Sequence, residues 1–155
     1  MASGKTTIGK ALAEKMNFEF IDLDYYIERK EAMSVSEIFK VKGEIYFRKI
    51  ETHCLKEISE RNSKTIISLG GGTPCYGKNM EYLLSSEDSI TIYLKASLNE
   101  LVKRLSKNKQ KRPLIAHLKT DEALLEFIGK HLFERNIFYS KASKVIHIDN
   151  KSLDE

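Results

Sequence analysis

Little in this chain runs to an extreme. Across its 155 residues no apolar run approaches the roughly 20 residues that a membrane-spanning helix needs. No charged-then-apolar segment of signal-peptide type is visible, so a cytoplasmic protein is expected. There are two cysteines, Cys54 and Cys75. They lack metal-type spacing, and in such a compartment they are expected to stay reduced and to carry no role. Excess charge is small as well, since 26 Lys and Arg against 22 Asp and Glu leave +4. That balance suits an anionic small-molecule partner, while the absence of a gathered basic stripe argues against nucleic acid. Internal repeats, low-complexity segments and domain-sized linkers are missing too. A hydrophobic share of 41% at this length predicts one domain, residues 1–155, with a single sizeable core.

What is present is an alternation of short apolar runs with longer segments of helical period. In "TIGKALAEKM", Ile8, Leu12 and Met16 share a helical face. "FEFID" (18–22) reads as a short strand ending in a carboxylate. "SVSEIFKVKGEIYFRKIETHCLKEISER" opens with Ser34-x-x-Glu37, a capping-box pattern, and reads as helix broken at Gly43. "KTIISL" (64–69), "SITIYLKA" (89–96) and "KVIHID" (144–149) are strand candidates, the second followed by the helix-opening pair Ser97-x-x-Glu100. The basic run "KRLSKNKQKR" (103–112) leads into a polar stretch around 107–119, and "DEALLEFIGKHLFERNIFYSKA" reads as helix. Strands alternating with helices predict an α/β fold with a parallel sheet covered on both faces.

Four features carry chemistry. "MASGKTT" ends in Gly-Lys-Thr, the latter part of a phosphate-binding loop whose leading glycine would lie two positions before Met1. Backbone N–H groups at the start of the following helix would face phosphate oxygens, Lys5 would reach the β- and γ-phosphates, and the Thr6 hydroxyl would ligate magnesium. One strand later come Asp22 and Asp24 with one residue between them. On an extended strand such a pair faces one side, at the strand end where open α/β sheets bind ligands. One acid could hold magnesium and the other could align a substrate hydroxyl. Arg48, Arg112 and Arg135 offer forked donors for a carboxylate or phosphate. "LGGGTP" (69–74) follows a strand directly, and three residues without Cβ let a ligand approach the backbone.

Taken in order, "SGKTT", "FIDLDYYIE", "GEIYFR" (43–48), "GGGTP", "RPL" (112–114) and Glu134-Arg-x-x-x-Tyr139 resemble shikimate kinase, of the nucleoside-monophosphate-kinase-like phosphate-loop group. The resemblance runs from Met1 to about Asp149. It implies a three-layer fold, a parallel sheet sandwiched by helices, with a substrate-binding segment at 25–61 and a lid at 107–119. It implies that Ala2, Ser3, Gly4, Lys5, Thr6 and Thr7 cradle the ATP phosphates, with Arg104 against the adenine and Arg112 on the lid that closes over ATP. Thr6 and Asp22 would hold Mg2+. Asp24 would orient or deprotonate the shikimate 3-hydroxyl, with Lys5 and Arg112 as the other catalytic groups. Arg48 and Arg135 would bind the shikimate carboxylate, and Gly70, Gly71 and Gly72 would lie against the ring. The implied activity is transfer of the ATP γ-phosphate to shikimate, by a monomer, in chorismate and aromatic amino acid synthesis. The family has a first strand and a leading loop glycine ahead of the position of Met1. The chain as given is therefore expected to lack that strand and to be unstable or inactive by itself.

Two rival readings stay open on the residues alone. A related kinase acting on gluconate or a nucleoside monophosphate would use the same loop, and gluconate also carries a carboxylate. A non-catalytic nucleotide-binding module would fit an incomplete loop. A GTPase is disfavoured, because "NKQK" (108–111) lacks the acid of the base-reading Asn-Lys-x-Asp motif.

Overall fold

The computed structural model describes residues 3–61, 64–106, 115, 117, 118 and 120–153. The chain divides into two compact units, one formed by Lys5–Glu87 and the other by the remainder. No helix among the described residues is long and apolar enough to cross a membrane.

In the first unit, α1 (Lys5–Met16) packs on the strands β1 (Glu19–Asp22) and β2 (Thr65–Ser68). Gly9 permits the close seat, because a Cβ there would fall 2.7 Å from the Phe20 ring. β1 and β2 are parallel, in a register that sets Glu19 opposite Thr65 and Asp22 opposite Ser68. Their carboxyl ends are therefore level, and the Asp22–Asp24 segment and the glycine run leave the sheet at one edge. That edge is where open parallel sheets place ligands.

β1 leads directly into α2 (Leu23–Glu31). α3 (Val35–Val41) starts at the capping box, with Ser34 and Glu37 each satisfying the other's backbone N–H. The helical run then breaks where expected: Gly43 stands at φ +83° and opens α4 (Gly43–Ser59). Nothing lies within 4 Å of a Cβ at Gly43, so the glycine serves the backbone turn and not the packing. Leu23, Ile27, Ile38, Phe47 and Leu55 bury together as the core of this unit. After β2 the chain passes a short 3-10 turn, Thr73–Cys75, and α5 (Asn79–Ser85).

The second unit repeats the parallel pairing with β3 (Ile92–Lys95) against β4 (Lys144–His147), Tyr93 opposite Val145. α6 (Leu98–Ser106) is capped by the Ser97 hydroxyl, which accepts from Glu100 N at 3.2 Å. The long helix α7 (Asp121–Tyr139) begins at Thr120, whose hydroxyl accepts from Ala123 N at 3.1 Å. α6 and α7 pack around Leu101, Leu105, Leu124 and Ile128, with Ile115 and Ile148 in the same core. All strand pairings among the described residues are parallel.

Candidate functional site

The two aspartates do not share a strand. β1 ends at Asp22, whose Oδ1 caps α2 by accepting from Tyr25 N at 3.4 Å, and Asp24 already stands in the first helical turn. An acid that can satisfy an orphan N–H is a good helix starter, so Asp22 stops the strand by capping the helix after it. Its second oxygen, Oδ2, accepts from the Thr6 hydroxyl at 3.0 Å. The two side chains expected to hold magnesium are thus brought together. Ser3 and Gly4, the latter at φ +84°, lead into α1, where Lys5, Thr6 and Thr7 form the first turn. Ala2 lies outside the described residues.

Asp24 is half-buried, and its pKa is raised to about 6. Burial is the main cause, followed by the negative charges of Asp22 and Glu51; Lys5 lies near enough to oppose them. A carboxyl in that range is poised to exchange a proton near neutrality.

The glycine run has a role that glycine counting misses. A Cβ at Gly70 would sit 3.0 Å from Asp24 Oδ1 and 3.1 Å from the Thr73 hydroxyl. A Cβ at Gly72 would sit 2.8 Å from Arg48 Nη1. From the sequence, the run predicts space for a ligand. Two of the three glycines leave space for the chain's own acid and its own guanidinium, which draws Asp24 and Arg48 to one short stretch of backbone with Gly71 between. Lys5, whose charge acts on Asp24, lies in the same region of the first unit.

Arg48 is held from several sides. Its Nη1 donates to Glu51 Oε2 at 3.2 Å, its Nε and Nη2 donate to Glu44 Oε1 at 3.2 and 3.1 Å, and the Tyr76 ring centroid lies 4.0 Å from its Cζ. Burial alone would weaken its hold on its proton, but the charge and hydrogen bond of Glu51, with Glu44 behind, raise it further. Glu51 is 1% exposed, and its other oxygen accepts from the Thr73 hydroxyl at 2.6 Å. Asn79 Nδ2 in turn donates to the Thr73 carbonyl at 2.9 Å. This chain fixes the guanidinium in place, since a buried ion pair keeps its geometry when its remaining lone pairs are bonded. Sequence reading assigns no role to Glu51, Thr73, Tyr76 or Asn79. Thr73 and Glu44 lie inside recognisable motifs, but a buried glutamate three residues after an arginine looks like any helical acid.

Arg104 and Arg135 belong to the second unit. Arg104, on α6, donates through Nε to Glu100 at 2.6 Å. Arg135 is half-buried on α7, one turn beyond His131, whose pKa is lowered first by burial and then by the charge of Arg135. Arg112 lies outside the described residues, as does most of the 107–119 stretch. No cluster of three or more His, Cys, Asp or Glu suited to a metal occurs among the described residues.

Comparison with known proteins bears on the whole chain. The family profile described as shikimate kinase matches residues 1–155. The shikimate kinase of Flavobacterium psychrophilum is 51% identical over 152 residues, covering 98% of this chain and 87% of that protein. That of Flavobacterium johnsoniae is 45% identical over 155 residues, covering 100% of this chain and 89% of that protein. Among solved structures, the Bacteroides thetaiotaomicron shikimate kinase superposes with a TM-score of 0.86 at 40% identity, covering 95% of this chain and 81% of the other. The Acinetobacter baumannii shikimate kinase in complex with shikimate gives 0.82 at 30% identity, covering 99% and 82%.

Proposed function

The chain belongs to the shikimate kinase family, and from that premise we infer that it transfers the γ-phosphate of ATP to the 3-hydroxyl of shikimate in aromatic amino acid synthesis. The observation that carries the reading is the meeting of Asp24 and Arg48 at Gly70–Gly72, with Asp24 raised to about 6 and near Lys5. An acceptor that bears both a carboxylate and a hydroxyl can be held by Arg48 while Asp24 takes the hydroxyl proton. Lys5 and the backbone at the start of α1 would meet the phosphates, where N–H groups and the helix dipole favour negative charge.

Magnesium fits the donors present. The Thr6 hydroxyl and Asp22 carboxylate are adjacent hard oxygen ligands, 3.0 Å apart. Magnesium takes one or two such protein ligands together with phosphate oxygens. The ion would neutralise charge on the transferring phosphoryl group. The protein's part is to place Asp24 and Lys5 at either side of the exchange.

The remaining expectations form part of the same proposal. Residues 25–61 would form the acceptor-binding segment and 107–119 a lid carrying Arg112. Arg135 would bind the acceptor carboxylate, and Arg104 would face the adenine. The protein would act as a cytoplasmic monomer.

ADP release with shikimate, gluconate and AMP as acceptors tests the reading. Release dependent on shikimate is expected, and equal or greater release with gluconate or AMP would replace it with another acceptor.

A further inference from the structure

Arg48 meets two carboxylates of unlike character. Glu51 is buried and tied from its second oxygen by Thr73, so it is a fixed partner. Glu44 stands one turn earlier on α4 with a side chain 53% exposed, and its Oε1 takes the Nε and Nη2 hydrogens together. Nε with Nη2 is one of the two paired-donor edges by which a guanidinium grips a carboxylate. The other edge, Nη1 with Nη2, is backed by Gly72, where a Cβ would fall 2.8 and 3.0 Å from the two nitrogens. Glu44 and Arg48 both line an open cavity of about 590 Å³, together with Lys49, Thr52 and Tyr76. Neither Asp24 nor the glycines 70–72 line it, so the cavity meets the guanidinium from the side that Glu44 occupies.

We propose that Glu44 is a resident stand-in for the acceptor's carboxylate. In the empty site it occupies the paired-donor edge of Arg48 and keeps the guanidinium aimed at the cavity. An arriving acceptor carboxylate, offering two oxygens where Glu44 offers one, takes over Nε and Nη2, and Glu44 swings into solvent. Glu51 stays bound throughout. The exchange is easy because Glu44, 53% exposed, is resolvated when it lets go, whereas the buried Glu51 would be left as an uncompensated charge. It also selects: a carboxylate acceptor replaces like with like, while an uncharged polyol would have to dislodge Glu44 and leave Arg48 less well satisfied. The proposal rests on the reading that Arg48 holds the acceptor carboxylate.

Calorimetric titration of shikimate into wild type, Glu44→Gln, Glu44→Asp and Arg48→Ala, each in dilute and in concentrated salt, separates the possibilities. Glu44→Gln removes the competing charge, and Glu44→Asp keeps the charge on an arm too short to reach the edge. Both are expected to bind shikimate about two- to fivefold more tightly than wild type, the range an exposed ion pair corresponds to. In dilute salt the gain should appear in Glu44→Asp as well as in Glu44→Gln, concentrated salt should shrink both by screening the pair, and ATP affinity should not change. If Gln tightens binding while Asp matches wild type, only a long-range field is at work and the stand-in role is lost. Weaker binding in both variants would make Glu44 a strut for Arg48, and unchanged binding in both would mean no competition; either result overturns the proposal. Undiminished shikimate binding by Arg48→Ala would instead remove the acceptor assignment itself, whatever Glu44 does.

Discussion

The two units share an architecture and differ in what they bury. Each has a parallel strand pair backed by helices. In the second, the buried side chains among the described residues are apolar, from Ala96 and Leu101 to Ile148. In the first, Glu51, Ser68, Thr73 and Asn79 are buried alongside the apolar core. Taking polar groups out of water costs free energy unless each finds a partner, and a charged group costs most. Here the charge of Glu51 is met by Arg48 and Thr73, and Thr73 is met by Asn79. A fold that needed only stability could fill that space with leucine, as the second unit does. The buried polar chain instead fixes Arg48 beside Asp24, and positional accuracy at an acceptor site is what raises rate.

The largest effect should fall on Asp24. Asp24→Asn is expected to lower turnover by about 10²–10⁴, the scale of a positioned general base, with ATP affinity retained. Steady-state kinetics checks this, and a near-normal rate would take Asp24 out of the mechanism. The same substitution should stabilise the fold. The folded pKa of about 6 lies above the value of 3.8 for a free aspartate, so the folded chain holds this proton more firmly. That contribution is complete below about pH 4 and is lost as pH rises through 6. Above pH 6, Asp24→Asn should therefore gain about 1–3 kcal/mol in denaturant unfolding, and the gain should vanish at low pH.

Next, Arg48→Ala should weaken shikimate binding by one to two orders of magnitude, from loss of charge-assisted bonds of about 1.5–3 kcal/mol each, and leave ATP binding nearly intact. Equal losses for both ligands would break the assignment of Arg48 to the acceptor. In the second unit, Leu105→Ala supplies the contrast. Leu105 is fully buried, so a loss of about 2–5 kcal/mol in stability is expected without a selective change in shikimate affinity. The smallest of the four is Glu51→Gln. It keeps shape and one partner but leaves the guanidinium less well held, so stability should drop by about 1–3 kcal/mol. Shikimate affinity should drop as well. If Glu51→Gln behaved like Leu105→Ala, costing stability alone, the buried polar chain would be mere filler.

Much of this is legible in the residues, and the limits are instructive. The helix break at Gly43, the box at Ser34 and Glu37, and the strand segments come from local chemistry, because a glycine turn or a cap acts on its immediate neighbours. The pairing of Thr6 with Asp22 is legible too, since a loop and the next strand end carry standard parts. Asp24 reads as a strand residue and lies in a helix, because Asp22 is as good a cap as it is a strand residue. The glycine run is visible but not its beneficiaries, since Gly70 and Gly72 make room for residues 46 and 24 positions earlier. Glu51 is invisible: only packing distinguishes a buried acid from a solvated one on the same helix.

The central claim is that Asp24 is half-buried beside the negative charges of Asp22 and of Glu51, the anchor of Arg48. Carbon-detected NMR titration of the Asp24 carboxyl in the ligand-free protein tests it most directly. The account predicts a midpoint of about 6. A midpoint near 3.8, that of a solvated aspartate, would contradict it.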